Sequence, residues 1–468
     1  MSDPPATRLE CAGCGAAPDA RAPFRCANTG RDDLDHIVAR RLDTARVTFP
    51  RTGAANPFVR FRALLHSYHA ARAGGMSDAD FVALVEELDR AVAAVDGRGF
   101  VTTPFAGSGA LGESLGFASG GGVWVKDETG NVSGSHKARH LFGLALLLEV
   151  MERTGLATRA EHDRRGLAIA SCGNAALAAA VVARASRRPL KVFIPPDADP
   201  RVVERLQSLG ARIAVCARAV GEKGDPCVHA FHRALDAGAL PFCCQGSDNG
   251  LTIEGGETLA WEIAAALAGE GRALDRLFVQ VGGGALASAC AQGLREAVSL
   301  GALARLPRLH AVQTFGAFPL RRAYERARAR ILARLGGASG ADDTAAAERM
   351  RAPDAADVVR EELRHAQTHR SEFMWAWEEP PKSIAHGILD DETYDWHAVV
   401  TGMIESGGWP VIVSEERLAE ANALARSSTG IRVDHTGSSG LAGLIELRSS
   451  GLVAPDESVA VLFTGVER

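Results

Sequence analysis

Apolar strand-like runs alternate with helical patterns between about residues 120 and 315 of this 468-residue chain. Strands are predicted over residues 122–126, 167–171, 191–195, 212–216, 277–281 and 309–314. Helical periodicity fills the intervals, for example over residues 175–186 and 200–209. Strands that alternate with helices form mostly parallel sheets covered by those helices. The sequence therefore predicts an α/β architecture, and its length suggests two or three domains.

Composition excludes several classes of protein. The net charge is -5 and no basic run is interleaved with aromatic residues, so neither a nucleic-acid partner nor attraction to a membrane surface is expected. The N-terminus lacks a signal-peptide pattern, and no apolar run approaches the roughly 20 residues that span a bilayer. Nine scattered cysteines do not resemble a disulfide framework. We expect a reduced, cytoplasmic protein.

Two regions outside the alternation have their own patterns. Residues 56–97 carry apolar positions at helical spacing, so helices are predicted there. Residues 321–371 are rich in Arg, Ala and Glu, with a break over residues 336–340. We interpret them as an insertion made of two exposed helices rather than as part of the core.

Lys137 lies at a chemically informative position. It follows the predicted strand over residues 122–126 and precedes a helical pattern over residues 141–148, at the strand end where open parallel sheets place their chemistry. Only five of the 52 basic residues are lysines, so arginine is used wherever charge alone is needed. Arginine cannot form a Schiff base, which indicates that the amine of Lys137 matters.

Three further segments match Lys137 in order and spacing. They are Ser171-Cys172-Gly173-Asn174-Ala175, Gly282-Gly283-Gly284-Ala285-Leu286 and Asp434-His435-Thr436-Gly437, with Thr103-Pro104 upstream. Together these motifs resemble the fold-type II pyridoxal-phosphate enzymes, the tryptophan synthase β family. Threonine synthase, threonine dehydratase, cysteine synthase and diaminopropionate ammonia-lyase are members. The resemblance covers about residues 100–320 and 380–468.

The resemblance implies a cofactor, pyridoxal 5'-phosphate, and a role for each motif. Lys137 would bind the cofactor as a Schiff base and then act as the base on the substrate α-carbon. The three glycines would let the backbone approach the phosphate, which the N–H groups at Ala285 and Leu286 would bind. Thr436 would face the pyridine nitrogen, where a hydroxyl makes the ring a weaker electron sink than a carboxylate would.

The remaining motif is implied to bind the substrate. Asn174 would contact the ring hydroxyl of the cofactor, and the loop of Ser171, Cys172, Gly173 and Ala175 would hold the substrate carboxylate. Two residues depart from the commonest pattern: His136 precedes the lysine, and Cys172 stands where Ser or Thr is usual. These departures leave the substrate open but do not affect the cofactor.

The resemblance also implies an organisation and an activity. Two open α/β domains would hold the cofactor in the cleft: a large domain of residues 46–141 and 246–468, and a small inserted domain of residues 142–245. The implied activity is β- or γ-elimination or replacement on a small amino acid, threonine synthase-like, by a homodimer. A threonine or serine dehydratase or a diaminopropionate ammonia-lyase is the alternative.

Two hypotheses from other classes remain. A nucleotide-binding dehydrogenase would use Gly282, Gly283 and Gly284 as a phosphate turn, but the chain lacks Gly-x-Gly-x-x-Gly followed by an acidic residue. A non-catalytic relative that binds pyridoxal phosphate or a metal would not need the intact Lys137.

The N-terminal leader, residues 1–45, carries a candidate metal site. Cys11, Cys14 and Cys26 are spaced like half of a zinc ribbon, and His36 offers a fourth ligand. A second Cys-x-x-Cys is absent, since Thr29 occupies the expected position. Threonine synthase relatives often carry a similar Cys-bearing extension. The alternative is a degenerate ribbon that folds without metal.

Overall fold

The computed structural model describes residues 5–219, 224–337 and 342–468. In this part of the chain there is no helix that combines the length and the apolar character needed to cross a membrane. The strands are β1 Thr7–Cys11, β2 Val38–Leu42, β3 Phe105–Gly107, β4 Gly122–Asp127, β5 Leu167–Ala170, β6 Leu190–Ile194, β7 Arg212–Val215, β8 Leu240–Pro241, β9 Arg276–Gln280, β10 Arg308–Thr314, β11 Val411–Val413 and β12 Ser458–Phe463.

Helices separate most of these strands. They are α1 Pro57–Arg60, α2 His66–Ala73, α3 Asp78–Asp96, α4 Gly109–Ser114, α5 Lys137–Arg153, α6 Arg159–Arg165, α7 Asn174–Ala185, α8 Pro200–Ser208 and α9 Pro226–Asp236. The second half of the chain adds α10 Thr252–Glu270, α11 Ala285–Ser299, α12 Pro319–Arg334, α13 Asp343–Met350, α14 Ala356–Thr368, α15 Arg370–Phe373, α16 Trp396–Ser406, α17 Glu415–Thr429 and α18 His435–Ser449.

The strands form three sheets. A six-stranded sheet has the order β11-β10-β9-β12-β4-β3, and all neighbours are parallel except β3 with β4. A four-stranded, fully parallel sheet has the order β7-β6-β5-β8. A separate antiparallel pair joins β1 to β2. The predicted α/β architecture is confirmed, and all six predicted strands are present.

Contacts divide the described chain into two compact units. The first unit runs up to Ala27 and then takes His36–Thr102 and Gly130–Glu262, so it contains the β1–β2 hairpin and the four-stranded sheet. The second unit takes Asn28–Asp35, Thr103–Thr129 and Ile263–Arg468, so it contains the six-stranded sheet. This grouping uses other boundaries than the large and small domains suggested by the family resemblance, and those domain bounds stay a prediction.

The prediction of two exposed helices over residues 321–371 is wrong. Helices α12, α13 and α14 lie there, and α12 buries Leu320, Tyr324 and Ile331. A side-chain cap at Asp342 starts α13, and Pro353 separates α13 from α14. The Arg-rich composition concealed these apolar positions, which lie four and seven residues apart on one face of the helix.

Candidate active site

Lys137 is the first residue of α5, as the loop-to-helix prediction required. The preceding loop contains Ser133 with a φ of 53°, and Asp96 holds this turn by accepting a 2.9 Å hydrogen bond from the Ser133 N–H. Lys137 is half-buried, and its neighbours His136 and Ala138 are buried. Its backbone is therefore fixed at the start of a buried helix.

The other described lysines are placed differently. Lys126 is fully buried in β4, and its Nζ donates a 2.8 Å hydrogen bond to the carbonyl oxygen of Thr103. Lys191 is exposed on β6, with its Nζ 4.9 Å from the centroid of the Phe193 ring. Lys126 has a structural role, and Lys191 and Lys382 are exposed, so Lys137 is the lysine with suitable surroundings among those that the structure describes.

Buried polar contacts fix α5 just beyond Lys137. Arg139 donates to both carboxylate oxygens of Glu262 at 2.7 and 3.1 Å and to the hydroxyl of Thr258 at 3.0 Å. Nδ1 of His140 lies 2.8 Å from the carbonyl oxygen of Thr252. Burial, with a smaller contribution from the charge of Lys137, lowers the pKa of His140 to about 3. The imidazole is therefore neutral at physiological pH.

We expect Glu262→Leu to destabilise the protein by about 3–5 kcal/mol, because it leaves the buried guanidinium of Arg139 without its carboxylate. Urea unfolding followed by circular dichroism measures this loss. The matched double variant, Arg139→Met with Glu262→Leu, should recover most of it. If Glu262→Leu alone is as stable as the wild type, the ion pair of Arg139 with Glu262 does not have the stabilising role assigned to it.

The predicted substrate loop connects β5 to α7 in the first unit. Gly173 occupies the N-cap position, and no side chain caps the helix. The Gly173 N–H donates to Oγ of Ser171 at 3.3 Å. Asn174 and Ala175 are half-buried in the first turn of α7, while Cys172 is exposed. A helix N-terminus without a side-chain cap presents backbone N–H groups that suit a carboxylate.

The glycine loop follows β9 in the second unit. Gly284 has a φ of 96° and begins α11 at Ala285 without a side-chain cap. A Cβ at Gly282 would lie 2.8 Å from Cα of Ile388, and a Cβ at Gly283 would lie 2.8 Å from Cδ2 of Tyr394. The glycines therefore also allow the chain's own segment over residues 388–395 to approach closely.

Thr436 lies in the first turn of α18, also in the second unit. Its Oγ1 accepts a 3.0 Å hydrogen bond from the Gly387 N–H, which leaves the hydroxyl proton able to bond another acceptor. The turn is held by Asp434, which caps α18, and by Gln280, whose Nε2 donates to the Gly437 carbonyl at 2.8 Å. The hydroxyl is therefore positioned by backbone contacts.

The four residues of the predicted metal site come together in the first unit. Their ligand atoms all lie within 4.8 Å of one another. Sγ of Cys11 is 3.4 Å from Nδ1 of His36, and Sγ of Cys14 is 3.6 Å from Sγ of Cys26. Zn–S bonds of about 2.3 Å and Zn–N bonds of about 2.0 Å in tetrahedral geometry place ligand atoms about 3.5–3.8 Å apart. The two measured separations are close to these values.

A buried charged cluster beside this site was missed by sequence reasoning. Arg40 on β2 contacts Glu257 and places its Nε 3.4 Å from Oε2 of Glu254. Glu254 also accepts a 2.6 Å hydrogen bond from the His66 N–H. The spacing of Glu254 and Glu257, three residues apart on one helix, was the available signal, but their partner lies more than 200 positions away.

Burial raises the pKa of Glu254 to about 7, although Arg40 and the His66 N–H lower it. As the pH rises, the carboxyl of Glu254 therefore loses its proton near pH 4.5 in the unfolded chain but only near pH 7 in the folded protein. The protonated carboxyl stabilises the folded state by about 3 kcal/mol below about pH 4.5, and this stabilisation is lost as the pH rises to about 7. Urea midpoints measured across this range should change less in Glu254→Gln. An unchanged pH dependence in that variant would contradict the assignment.

Sequence reasoning also missed a second His/Glu cluster. His365, His369 and Glu372 lie together at the end of α14 and the start of α15, with ligand atoms within 4.8 Å of one another. All three side chains are at least partly exposed, and Nδ1 of His369 lies 3.0 Å from the His365 carbonyl oxygen. The spacing of two histidines by four residues on a helix was the available signal.

The model of a protein family described as "Pyridoxal-phosphate dependent enzyme" matches residues 99–465 of the chain. The chain belongs to this family. The fold-type II assignment made from the four motifs is thereby confirmed.

Individual relatives are more distant. The chain is 24% identical to a threonine synthase of Methanocaldococcus jannaschii over 348 residues, which cover 73% of this chain and 69% of the relative. It is 26% identical to a cysteate synthase of Methanoregula boonei over 64% of this chain and 60% of the relative. The solved structure of the processed form of threonine deaminase isoform 2 from Solanum lycopersicum superposes with a TM-score of 0.56 at 15% identity, covering 84% of this chain and 91% of that one. This last likeness concerns the fold alone.

The residues present fit the cofactor of this family. Pyridoxal phosphate carries an aldehyde, a phosphate and a pyridine nitrogen. Lys137 offers a half-buried amine, the start of α11 offers backbone N–H groups without a side-chain cap, and Thr436 offers a hydroxyl whose oxygen already accepts a hydrogen bond. Each functional group of the cofactor therefore has a chemically suitable residue in this chain.

Proposed function

We propose that the protein is a threonine synthase-like lyase that catalyses β- or γ-elimination or replacement on a small amino acid. The observation that carries the reaction class is the Thr436 hydroxyl, held by the Gly387 N–H. A neutral hydroxyl does not keep a pyridine nitrogen protonated as a carboxylate would. The weaker electron sink favours elimination and replacement over transamination.

The breadth of the alignments favours the threonine synthase-like reaction. Two threonine synthases align over 73% and 78% of this chain, at 24% identity. The yeast L-serine dehydratases are 29% identical but align over only 36–37% of it. The Cys-bearing leader points in the same direction. A dehydratase or ammonia-lyase remains the alternative within the family, and it rests on the serine dehydratase similarity.

We assign the roles as follows. Lys137 binds the cofactor and afterwards moves the proton at the substrate α-carbon. The first-turn N–H groups of α11, at Ala285 and Leu286 after the three glycines, hold the phosphate. When bound, pyridoxal phosphate supplies the conjugated ring that accepts electrons from the α-carbon.

The substrate is held by the loop between β5 and α7 in this proposal. N–H groups around Ser171, Cys172, Gly173 and Ala175 bind the carboxylate, because the start of α7 has no side-chain cap. Asn174 is assigned to the ring hydroxyl of the cofactor. The exposed Cys172 contributes its backbone rather than its thiol.

Product analysis tests the proposed reaction. The purified protein is incubated with serine, threonine and their O-phosphorylated or homologous forms, and both ammonia and amino-acid products are measured. The threonine synthase-like reaction predicts a new amino acid and release of the leaving group without ammonia. Stoichiometric ammonia with a 2-oxo acid would support the deaminase alternative. Cofactor binding without turnover of any substrate would support the non-catalytic alternative.

We also propose that the protein is a cytoplasmic homodimer, as is common in the family it resembles. Light scattering at micromolar concentration should give about twice the mass of 49.2 kDa. A monodisperse mass equal to one chain would contradict the dimer.

We propose zinc as a second bound group, held by Cys11, Cys14, Cys26 and His36. The two separations of 3.4 and 3.6 Å support a tetrahedral site with three sulfur ligands and one nitrogen ligand. A site with four protein ligands is structural rather than catalytic, because no position is open for water or substrate. Elemental analysis should find about one zinc ion per chain.

A further inference from the structure

We infer that the zinc-bound hairpin positions the helix that carries Lys137, with Arg40 as the connecting residue, so that zinc binding raises the affinity for pyridoxal phosphate. The inference rests on the proposed cofactor and zinc sites. It assigns Arg40 as a positioning residue that touches neither cofactor nor substrate. Every contact in the chain of argument lies within the first unit.

The first step connects the metal ligands to β2. Cys11 ends β1 and pairs with Val38, the first residue of β2. His36 lies two residues before β2, and the Ala12 N–H donates to the Ile37 carbonyl oxygen at 2.8 Å. The ligands thus surround one end of the hairpin. A metal bound there fixes β1 and β2 relative to each other.

The second step connects β2 to α10. A Cβ at Gly250 would lie 1.8 Å from the Val38 carbonyl oxygen, so the backbones of these two segments are in direct contact. Two residues further along β2, Arg40 forms ion pairs with Glu254 and Glu257 in the first turns of α10. These side chains are buried, with at most 9% of any of them exposed. Such a cluster tolerates little displacement, because an unpaired buried charge is costly.

The third step connects α10 to Lys137. A Cβ at Gly255 would lie 2.1 Å from the Arg139 carbonyl oxygen, and a Cβ at Gly256 would lie 2.2 Å from Cε1 of His140. The first turn of α10 therefore packs directly against the first turn of α5, backbone against backbone at Gly255 and backbone against the His140 ring at Gly256. Lys137 stands in that same turn of α5. A shift at the start of α10 is transmitted directly to it.

The physical consequence is a coupling between the two binding sites. Energetic coupling between sites typically amounts to about 5–150-fold in affinity. Without zinc, the strand pairing and the contacts of the hairpin with α2 and α10 remain, for example Thr7 Oγ1 at 3.0 Å from Nδ1 of His66, but the end of the hairpin that carries the ligands loses its cross-link. Arg40 is then held less firmly. The start of α10 then samples more than one arrangement against α5. Lys137 is correctly placed in only part of this population, which lowers the apparent affinity for the cofactor.

A double-mutant cycle on the full-length holoenzyme tests this coupling. Equilibrium dialysis gives the Kd for pyridoxal phosphate in the wild type, Cys14→Ser, Arg40→Met and the double variant, and elemental analysis gives their zinc content. We expect Cys14→Ser to lose zinc and to raise the Kd about tenfold. Arg40→Met should keep zinc and raise the Kd similarly, and the double variant should be no weaker than either single variant.

Controls separate positioning from general damage. Cys216→Ser changes a cysteine outside the cluster and should leave both zinc and the Kd unchanged. Arg40→Lys, which keeps the positive charge, should restore part of the affinity lost in Arg40→Met. Zinc added back to chelated wild-type protein should restore the original Kd.

The possible contradictions are distinguishable. An unchanged Kd in zinc-free Cys14→Ser, or strictly additive effects in the double variant, would overturn the coupling. A wild-type protein without zinc would overturn the inference and leave the cofactor function intact. A wild-type protein that does not bind pyridoxal phosphate would refute the proposed function itself.

Discussion

Replacing Lys137 by alanine is expected to lower turnover by more than about 10³-fold, because it removes both the covalent anchor of the cofactor and the base at the α-carbon. The visible absorbance of lysine-bound cofactor should disappear at the same time. The fold should persist, since the Lys137 side chain is half-buried at the first position of α5. Absorbance, steady-state turnover and thermal unfolding measure the three effects.

The control for this variant is Lys191→Ala, which removes an exposed lysine on β6. It should keep both absorbance and turnover. Normal cofactor absorbance in Lys137→Ala would show that another amine binds the cofactor. Loss of absorbance with turnover retained would exclude the proposed chemistry.

The second large effect is expected for Thr436→Asp. A carboxylate at this position would raise the pKa of the pyridine nitrogen by charge attraction and keep it protonated. The stronger electron sink should divert the reaction towards transamination, or reduce elimination and replacement by about 10²-fold or more. Product analysis by mass spectrometry, together with the cofactor spectrum, measures the change.

Thr436→Ser is the matched control, because it keeps the hydroxyl that accepts the hydrogen bond from the Gly387 N–H. It should retain the wild-type spectrum and most of the activity. If Thr436→Asp instead keeps the wild-type rate and spectrum, Thr436 does not face the ring, and the argument for the reaction class loses its support.

The sequence was sufficient for the parts of the fold that depend on local patterns. Each of the six predicted strands is present, with ends that differ by one residue at most. The junction at Lys137 was also predictable, since an apolar strand, a polar loop and an apolar helix follow one another directly. The three cysteines of the candidate metal site were predicted from their spacing, and His36, proposed as the fourth ligand, lies in the same cluster although it is ten residues beyond Cys26.

The remaining features depend on contacts between distant parts of the chain. The pairing of Arg40 with Glu254 and Glu257 joins residues more than 200 positions apart, and no local pattern indicates it. Gly255 and Gly256 lie within a helix and form no turn. Glycine occupies both positions because α5 packs so closely that a side chain would clash with it. The β1–β2 hairpin was missed because its strands are short and rich in charged residues, which conceals the alternation of a half-buried strand.

The most direct test of the central claim is borohydride reduction of the purified protein, which fixes the cofactor to its lysine, followed by peptide mapping. The account predicts one labelled peptide per chain, with pyridoxyl phosphate on Lys137. A label on Lys126 or Lys191 would contradict the assigned site. Absence of any label on protein that shows full activity would contradict the proposed chemistry.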